Sequence, residues 1–336
     1  MELYDIVVIG GGASGLVAAI EAARTDRKLK IAVIERLPRV GKKILVTGNG
    51  KCNLTNLSAS PGCFNAPEFV RPAITRYDVN NTLDFFRSMG LLTVSDSEGR
   101  VYPTSGTAAS VTDVLRFECA RLNIPLICDT PIKEIRPDKG AFIINSLYKA
   151  RSVIIACGGK ASPVHGSDGS GYALLKAFGH GVTKLSPALT RLKTSPEFVR
   201  TLKGIRMSAK ISVKIGEKTL DSAEGEIQFY EEGISGIAAM EMSRCVSSYG
   251  GNEKLFAVLD LLPSVPEDKL ADFILKTARN DPGLPLENLL TGILAKRVGQ
   301  EICKDVLLYK LSDVAEKSHQ TTQNVLHTIS RQRLLI

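Results

Sequence analysis

The chain has 336 residues, of which 44% are hydrophobic and 23% are charged, a composition typical of globular proteins with a sizeable core. Its formal net charge of +8 raises the question of an acidic partner such as nucleic acid. However, Lys and Arg form no run of five or more. The pattern indicates a solvated surface with some phosphate contacts, and we expect no nucleic-acid partner.

The seven cysteines show no C-x-x-C spacing, so the common zinc and thioredoxin-like motifs are excluded and no metal site is predicted. The N-terminus has no basic region, and its apolar run ends at Gly10. We therefore expect neither a signal peptide nor a membrane span. Unpaired cysteine spacing fits a reducing, cytoplasmic location.

The first motif is IVVIGGGASGLVAAIEAARTDRKLKIAVIER, which predicts a strand, a glycine turn, a helix and a second strand. Gly10 permits the tight turn, Gly12 lets the backbone approach a pyrophosphate, and Gly15 allows close packing of helix on strand. Glu35 can accept hydrogen bonds from ribose hydroxyls. The unit predicts dinucleotide binding rather than a generic turn, with NAD and FAD both open. NADP is disfavoured because the Glu35 carboxylate would repel a 2′-phosphate, although Arg36 adjoins it.

The next segment, RVGKKILVTGNGKCNLTN (39–56), places two glycines among Lys, hydroxyl and amide side chains. Such backbone suits a phosphate or the edge of a flavin. The alternative is a long polar surface loop.

The elements that follow are a helix over 79–90, a hairpin over 91–103 with its turn at Asp96–Gly99, and an amphipathic helix over 110–122. Short strands are predicted around residues 126–128, 132–136, 141–145 and 149–156. The last of these ends in Ala-Cys-Gly-Gly and leads into GSDGSGYALLKAFGHG, where a second helix N-terminus is predicted to point towards the ligand. Residues 189–243 hold short strand-like runs, among them KTLDS and EIQFYEEG, which predict a small antiparallel or barrel-like insert. The character changes near Pro263, and residues 264–330 are predicted to be helical, with LENLLTGILAKRVGQEICKDVL (286–307) as one of the clearest segments.

Five segments together resemble one family, the aminoacetone-oxidase-like (YhiN/BaiN-type) NAD(P)/FAD-dependent oxidoreductases. They occur in family order from about residue 8 to residue 236, and they read VIGGGASGLVAA, RVGKKILVTGNGKCNLTN, VYPTSGTAASVTDVL, GGKASPVHGSDGSGYALLKAFGHGVTKLSPALTRL and GEIQFYEEGISG. Two departures are mild: Cys157 and Tyr230 stand where Thr is usual.

The resemblance implies an α/β fold with a Rossmann-like, glutathione-reductase-like FAD-binding domain and an inserted β-barrel-like plus helical subdomain. The predicted domains are 1–188 (FAD-binding), 189–263 (β-rich insert) and 264–336 (helical insert and tail). The resemblance also implies FAD as cofactor. NAD(P)H is expected only as a transient electron donor, because the chain has a single complete G-x-G-x-x-G unit.

The cofactor contacts that match the family motifs, together with Arg36, are Gly10, Gly12, Ala13, Ser14, Gly15, Glu35, Lys43, Thr47, Gly48, Asn49, Gly50, Cys52, Asn53, Gly158, Gly159, Ser167 and Gly171. Three groups are candidate proton donors, each with a structural alternative. Tyr102 could instead cap the hairpin, Cys52 could be a small packed residue, and His165 could position the loop before Gly166.

The expected activity is hydride transfer through the flavin, either from NAD(P)H to an unsaturated small molecule or from an amine to the flavin and on to oxygen. No Gly follows Gly299, whereas the family continues into a Gly-rich closing strand. We therefore expect a chain truncated relative to the family, and the alternative function is a weakly FAD-binding or inactive fragment. The oligomeric state and the substrate are not predicted.

Overall fold

The computed structural model describes residues 1–281, 283–285, 288–306 and 332–335. The chain divides into two compact units, Met1–Thr183 and Lys184–Ile336. Within the described residues, no helix has both the length and the apolar character needed to cross a membrane.

The first unit contains nine strands and five α-helices within its described residues. The strands are β1 (Leu3–Ile9), β2 (Ile31–Ile34), β3 (Thr55–Asn56), β4 (Thr93–Ser95), β5 (Arg100–Pro103), β6 (Leu126–Ile127), β7 (Ile135–Asp138), β8 (Ala141–Ile144) and β9 (Tyr148–Ile155). The helices are α1 (Ala13–Thr25), α2 (Pro67–Arg76), α3 (Val79–Ser88), α4 (Ala108–Arg121) and α5 (Ser170–Lys176).

The main sheet of this unit has the order β6-β2-β1-β9-β8-β7. Its first four strands are parallel, with Ile6 opposite Ile31 and Val8 opposite Ile154, whereas β7, β8 and β9 pair antiparallel. The short apolar runs of β1 and β2 suit a sheet covered on both faces. The parallel strands deliver their carboxyl ends to one edge, where ligands bind in folds of this kind.

Alternate residues of β1 enter two different cores. Val8 packs with Leu16 of α1 and Leu115 of α4 on one face of the sheet. Val7 packs on the opposite face with Leu174 of α5. All five side chains are buried, which explains why the β-α-β pattern was readable from the sequence.

The predicted hairpin over 91–103 is confirmed. Strands β4 and β5 pair antiparallel with Val94 opposite Tyr102, and the Gly99 N–H donates to the Asp96 carbonyl at 3.0 Å across the turn. Gly99 has φ +75°, a backbone angle that glycine adopts without strain.

The second unit is built on an antiparallel sheet of order β10-β13-β12-β11-β14-β15. Its strands are β10 (Leu192–Lys193), β11 (Arg206–Ile215), β12 (Lys218–Tyr230), β13 (Gly233–Ser235), β14 (Phe256–Asp260) and β15 (Gln332–Leu335). Its α-helices are α6 (Pro196–Thr201), α7 (Ile237–Ser248), α8 (Glu267–Asn280) and α9 (Lys296–Val306). An antiparallel arrangement was one of the two expected from the sequence.

Two segments of this unit differ from the sequence-based expectation. The runs KTLDS and EIQFYEEG were predicted as separate, but KTLDS and the first five residues of EIQFYEEG belong to the single strand β12. This strand pairs along β11 with a register shift at Val213/Lys214. The helix expected from residue 286 begins only at Lys296, and residues 288–295 form turns instead. The part of the predicted helical tail over 307–331 lies outside the described residues. The domain boundaries at 188/189 and 263/264 stay predictions.

Candidate cofactor site

A cavity of about 770 Å³ lies in the first unit, where β1, β2 and β9 end. One wall is formed by the glycine turn after β1, by Glu35 after β2 and by Ala156–Gly158 after β9. The rest of the lining includes a set of apolar side chains, here called the apolar wall: Val17, Ile44, Leu54, Phe86, Val111 and Leu115. The cavity is therefore polar where the strands end and apolar beyond.

The three motif glycines have different tasks. Gly10 has φ +111°, and a Cβ added there would lie 2.5 Å from the Ala156 carbonyl oxygen. A Cβ on Gly15 would lie 1.9 Å from the Gly10 carbonyl oxygen, so both glycines are required by packing. Gly12 has no atom within 4 Å of its Cβ position and lines the cavity as the N-cap of α1. The space beside Gly12 is thus open to a ligand at the positive end of the helix.

Glu35 braces the glycine turn. Its carboxylate accepts hydrogen bonds from the Gly11 N–H at 2.7 Å and from the Leu37 N–H at 2.9 Å. The side chain is largely buried yet lines the cavity. A carboxylate oxygen retains further acceptor capacity, so Glu35 can receive hydroxyl donors while it holds the turn.

Arg36 lies beside a second cavity of about 190 Å³, rather than on the wall of the first. Its Nη1 pairs with Asp168 Oδ2 at 2.5 Å. Hydrogen bonds from Ser170, and after them the Arg36 guanidinium, lower the pKa of Asp168 to about 2. The Arg36 Nε is buried and has no hydrogen-bond partner among the described residues. A buried donor without an acceptor is costly, and an acceptor of a ligand would satisfy it.

The cavity carries an excess of positive charge. No Asp or Glu occurs between Glu35 and Glu68, and Arg39, Lys42 and Lys43 of this interval all line the cavity. Lys43 Nζ donates to the hydroxyl of the buried Ser167 at 2.9 Å. This electrostatic environment favours an anionic group of a ligand.

The segment 44–53 turns sharply at the cavity wall. Gly48 and Asn49 adopt left-handed backbone with φ of +54° and +53°. Cys52 does so as well, with φ +59°, a conformation uncommon for residues other than glycine. Thr47, Cys52 and Asn53 line the cavity, whereas residues 48–50 do not. Burial raises the pKa of the Cys52 thiol, and the Thr47 hydroxyl opposes this shift.

The loop after β9 is held by its own hydrogen bonds. The Ser162 and Ser167 backbones exchange two bonds, at 3.2 and 3.0 Å. The Ser162 hydroxyl lies 2.9 Å from His165 Nδ1. The Cys157 thiol donates to the Ile9 carbonyl at 3.5 Å, and burial raises the pKa of this thiol to about 11.

The structure brings together eleven of the predicted cofactor contacts. The cavity is lined by Gly10, Gly12, Ala13, Ser14, Glu35, Lys43, Thr47, Cys52, Asn53, Gly158 and Ser167. The predicted contacts outside its lining are Gly15, Arg36, Gly48, Asn49, Gly50, Gly159 and Gly171.

Some of the outlying glycines serve packing instead. A Cβ on Gly171 would lie 2.9 Å from the Cys157 Cβ, and one on Gly159 would lie 3.2 Å from the Tyr172 hydroxyl. Of the candidate proton donors, Cys52 and His165 line the cavity. Tyr102 does not line the cavity. Its ring lies against Gly48, where an added Cβ would be 3.3 Å from it.

Sequence reasoning missed several lining residues. Gly41 is one: it has φ +73°, and a Cβ there would lie 2.6 Å from Thr112. Gly41 lies within the segment 39–56, which was predicted to contact the cofactor, so the sequence pattern could have identified it. The apolar residues of α3 and α4, such as Phe86 and Leu115, carried no signal, because only the tertiary fold brings them to the cavity.

The donor set fits a flavin dinucleotide. An open glycine cradle at a helix N-terminus and a nearby Lys suit phosphates, a strand-end carboxylate suits ribose hydroxyls, and the apolar wall suits a flat ring system. Within the described residues no cluster of three or more His, Cys, Asp or Glu could hold a metal ion.

Comparison with known proteins identifies the family. Residues 4–278 match the family described as the HI0933-like protein Rossmann domain. The chain belongs to this family. It is 38% identical to a 3-dehydro-bile acid delta(4,6)-reductase from Clostridium scindens over 87% of the chain and 73% of that protein.

More distant matches are a ribosomal RNA dihydrouridine synthase from Escherichia coli and a solved 3-ketosteroid-delta4-(5alpha)-dehydrogenase from Rhodococcus jostii RHA1. The first is 26% identical over 90% of the chain and 74% of that protein. The second is 14% identical, with a TM-score of 0.43, over 89% of the chain and 76% of that protein.

Membership in the HI0933-like family confirms the predicted Rossmann-like α/β fold and the predicted enzyme class, an oxidoreductase with a flavin cofactor. The alternative of an inactive fragment is not favoured, because the match extends over most of the chain and the cavity is formed.

Proposed function

We propose that this HI0933-like protein binds FAD in the 770 Å³ cavity and reduces a conjugated carbon–carbon double bond of a small apolar molecule, with NAD(P)H as transient electron donor. The observation that carries the proposal is the combination of a glycine cradle and a long apolar wall in one cavity. The relative at 38% identity acts on a 3-dehydro-bile acid, and a steroid-like substrate suits an apolar wall.

The residues have distinct proposed roles. The N–H groups around Gly12 and the Lys43 ammonium would hold the pyrophosphate. Glu35 would accept the ribose hydroxyls. The unpaired Arg36 Nε would donate to the adenosine half where this extends into the second cavity, which shares Gly10 and Glu35 with the first. The flavin, when bound, supplies two-electron hydride chemistry. The apolar wall would exclude water from the reacting face.

The test is turnover under anaerobic conditions. The purified, FAD-loaded chain is mixed with NADH or NADPH and a 3-oxo-Δ4,6 bile acid, and the products are measured by mass spectrometry. We expect a product heavier by two hydrogens. Oxidation of amines without any enone reduction would favour amine oxidation, the other activity expected from the sequence.

A second candidate substrate is ribosomal RNA, on which a relative at 26% identity acts. The supporting observation is the acid-free interval from Glu35 to Glu68, whose five cations are Arg36, Arg39, Lys42, Lys43 and Lys51. Basic clusters bind nucleic acid in a salt-dependent manner. Salt-sensitive binding of ribosomal RNA together with dihydrouridine formation would support this candidate over the bile acid.

A further inference from the structure

Reduction of a double bond needs a proton as well as a hydride, and a positioned acid accelerates such a step. The following proposal rests on the proposed reductase function. Besides the cations, the titratable groups that line the cavity are Glu35, Cys52, Cys157 and His165. These four groups differ in their hydrogen-bond partners and surroundings, and the differences indicate which of them could donate the proton.

Two of the four are already committed to hydrogen bonds, and a third lies away from the apolar wall. Both carboxylate oxygens of Glu35 accept backbone N–H groups, so this side chain is occupied in holding the glycine turn. The Cys157 thiol donates to the Ile9 carbonyl, at the end of β1. His165 pairs with Ser162 through Nδ1 only, but it lies in the loop after β9, at the polar end of the cavity rather than beside its apolar wall.

Cys52 differs from these in its surroundings. It is only 7% exposed and lies in the same apolar cluster as Ile44, Phe86 and Leu115, all of which line the cavity. The thiol is therefore beside the wall suited to an apolar substrate. Because burial raises the pKa of the Cys52 thiol, it carries its proton at neutral pH.

Thr47 connects this buried thiol to the outside. Thr47 is exposed and also lines the cavity. Its carbonyl accepts the Cys52 N–H at 3.0 Å, and its hydroxyl donates to the Ile44 carbonyl at 2.7 Å. The same hydroxyl lowers the pKa of the thiol. By turning its O–H from the Ile44 carbonyl to the sulfur, it would stabilise the thiolate that loss of the proton creates.

We propose that Cys52 is the catalytic proton donor for the reduced double bond and that Thr47 relays the replacement proton from solvent. The π bond of the substrate and the S–H bond break, and two C–H bonds form. One new C–H bond takes the hydride of the reduced cofactor, whose two electrons come from NAD(P)H. The other takes the thiol proton, and water returns a proton to the thiolate through the Thr47 hydroxyl.

The first experiment follows the two half-reactions separately in FAD-loaded wild type, Cys52→Ala, Cys52→Ser and Thr47→Val. The matched control is Cys63→Ala, which removes an exposed thiol outside the cavity. We expect NAD(P)H to reduce the flavin at the wild-type rate in Cys63→Ala, and in every other variant the measured rate of flavin reduction is the reference for the rate of reoxidation. Reoxidation by the 3-oxo-Δ4,6 bile acid should slow by about 100-fold or more in Cys52→Ala and should be unchanged in Cys63→Ala.

The second readout does not depend on activity. Iodoacetamide labelling is measured by peptide mass spectrometry from pH 7 to 11. Hydrogen bonds from Ser60 lower the pKa of the Cys63 thiol, so Cys63 should label at lower pH than Cys52. In Thr47→Val the labelling midpoint of Cys52 should move to higher pH, because the thiolate loses its hydroxyl partner.

The outcomes separate this proposal from the proposed function. Wild type that retains FAD but reduces no enone overturns the reductase function and proton donation with it. Wild type that reduces the enone, together with Cys52→Ala within threefold of its rate, leaves the function standing and overturns the role of Cys52. A labelling midpoint of Cys52 at or below that of Cys63 also overturns it.

Discussion

The paired substitutions Gly12→Ala and Gly15→Ala separate ligand binding from folding, because both add one methyl group to the same turn. The Cβ of Gly12 would enter open space beside the cavity, whereas the Cβ of Gly15 would lie 1.9 Å from the Gly10 carbonyl oxygen. We expect Gly12→Ala to weaken FAD binding with little change in folding, and Gly15→Ala to destabilise the fold itself.

The magnitudes follow from these contacts. At Gly15 the methyl group is about 1.5 Å closer than ordinary contact, and overpacking of this kind costs about 1–3 kcal/mol. At Gly12 the backbone angles of −79° and −174° suit any residue. The lower unfolded-state entropy of Ala there offsets its poorer N-capping, so the free energy of unfolding should stay within about 1 kcal/mol. Loss of one charge-assisted hydrogen bond to a phosphate, worth about 1.5–3 kcal/mol, would weaken FAD binding about 10- to 150-fold.

The assay combines urea unfolding of the FAD-free protein with a fluorescence titration of FAD. Wild-type FAD affinity in Gly12→Ala would refute the assignment of the open space to the cofactor. Wild-type stability in Gly15→Ala would refute the packing argument for the turn.

Two further predictions concern charge. Lys43→Met should weaken FAD binding by about tenfold in the fluorescence titration, because a charge-assisted contact to the pyrophosphate is lost. The control is Lys51→Met, which lies outside the cavity lining and should leave the affinity unchanged. The Arg121 guanidinium lowers the pKa of the buried Glu118. Burial opposes this shift and Arg24 adds to it, and the resulting pKa is about 2. Because the folded-state pKa is depressed, Glu118 stabilises the fold above pH 4.5, and this stabilisation is lost as the pH falls towards 2. Between pH 7 and pH 3, wild type should lose up to about 2 kcal/mol more free energy of unfolding in urea than Glu118→Gln does. Equal losses would contradict the ion-pair account.

The sequence was most informative where function depends on local backbone. Gly10, Gly12 and Glu35 stand in one β-α-β unit, so spacing alone could predict their convergence at the end of parallel strands. The same spacing could not show that Gly15 serves packing while Gly12 faces open space, because that distinction depends on which atoms surround each Cβ.

Other features depended on tertiary structure. The motif TGNG suggested that Gly48, Asn49 and Gly50 contact the cofactor, yet these three residues lie outside the cavity lining, whereas Thr47 and Cys52 on either side of them lie on its wall. The apolar wall from α3 and α4 could not be predicted, since those side chains are distant in sequence from the glycine turn.

FAD is proposed to bind in the cavity at the ends of β1, β2 and β9. The most direct measurement is a visible absorption spectrum of the purified wild-type chain after incubation with excess FAD and gel filtration, beside Gly12→Ala treated identically. We predict a flavin band that co-elutes with wild type and is much weaker in Gly12→Ala, with both proteins folded. Absence of the band from folded wild type, or an equal band in the two proteins, would contradict the account.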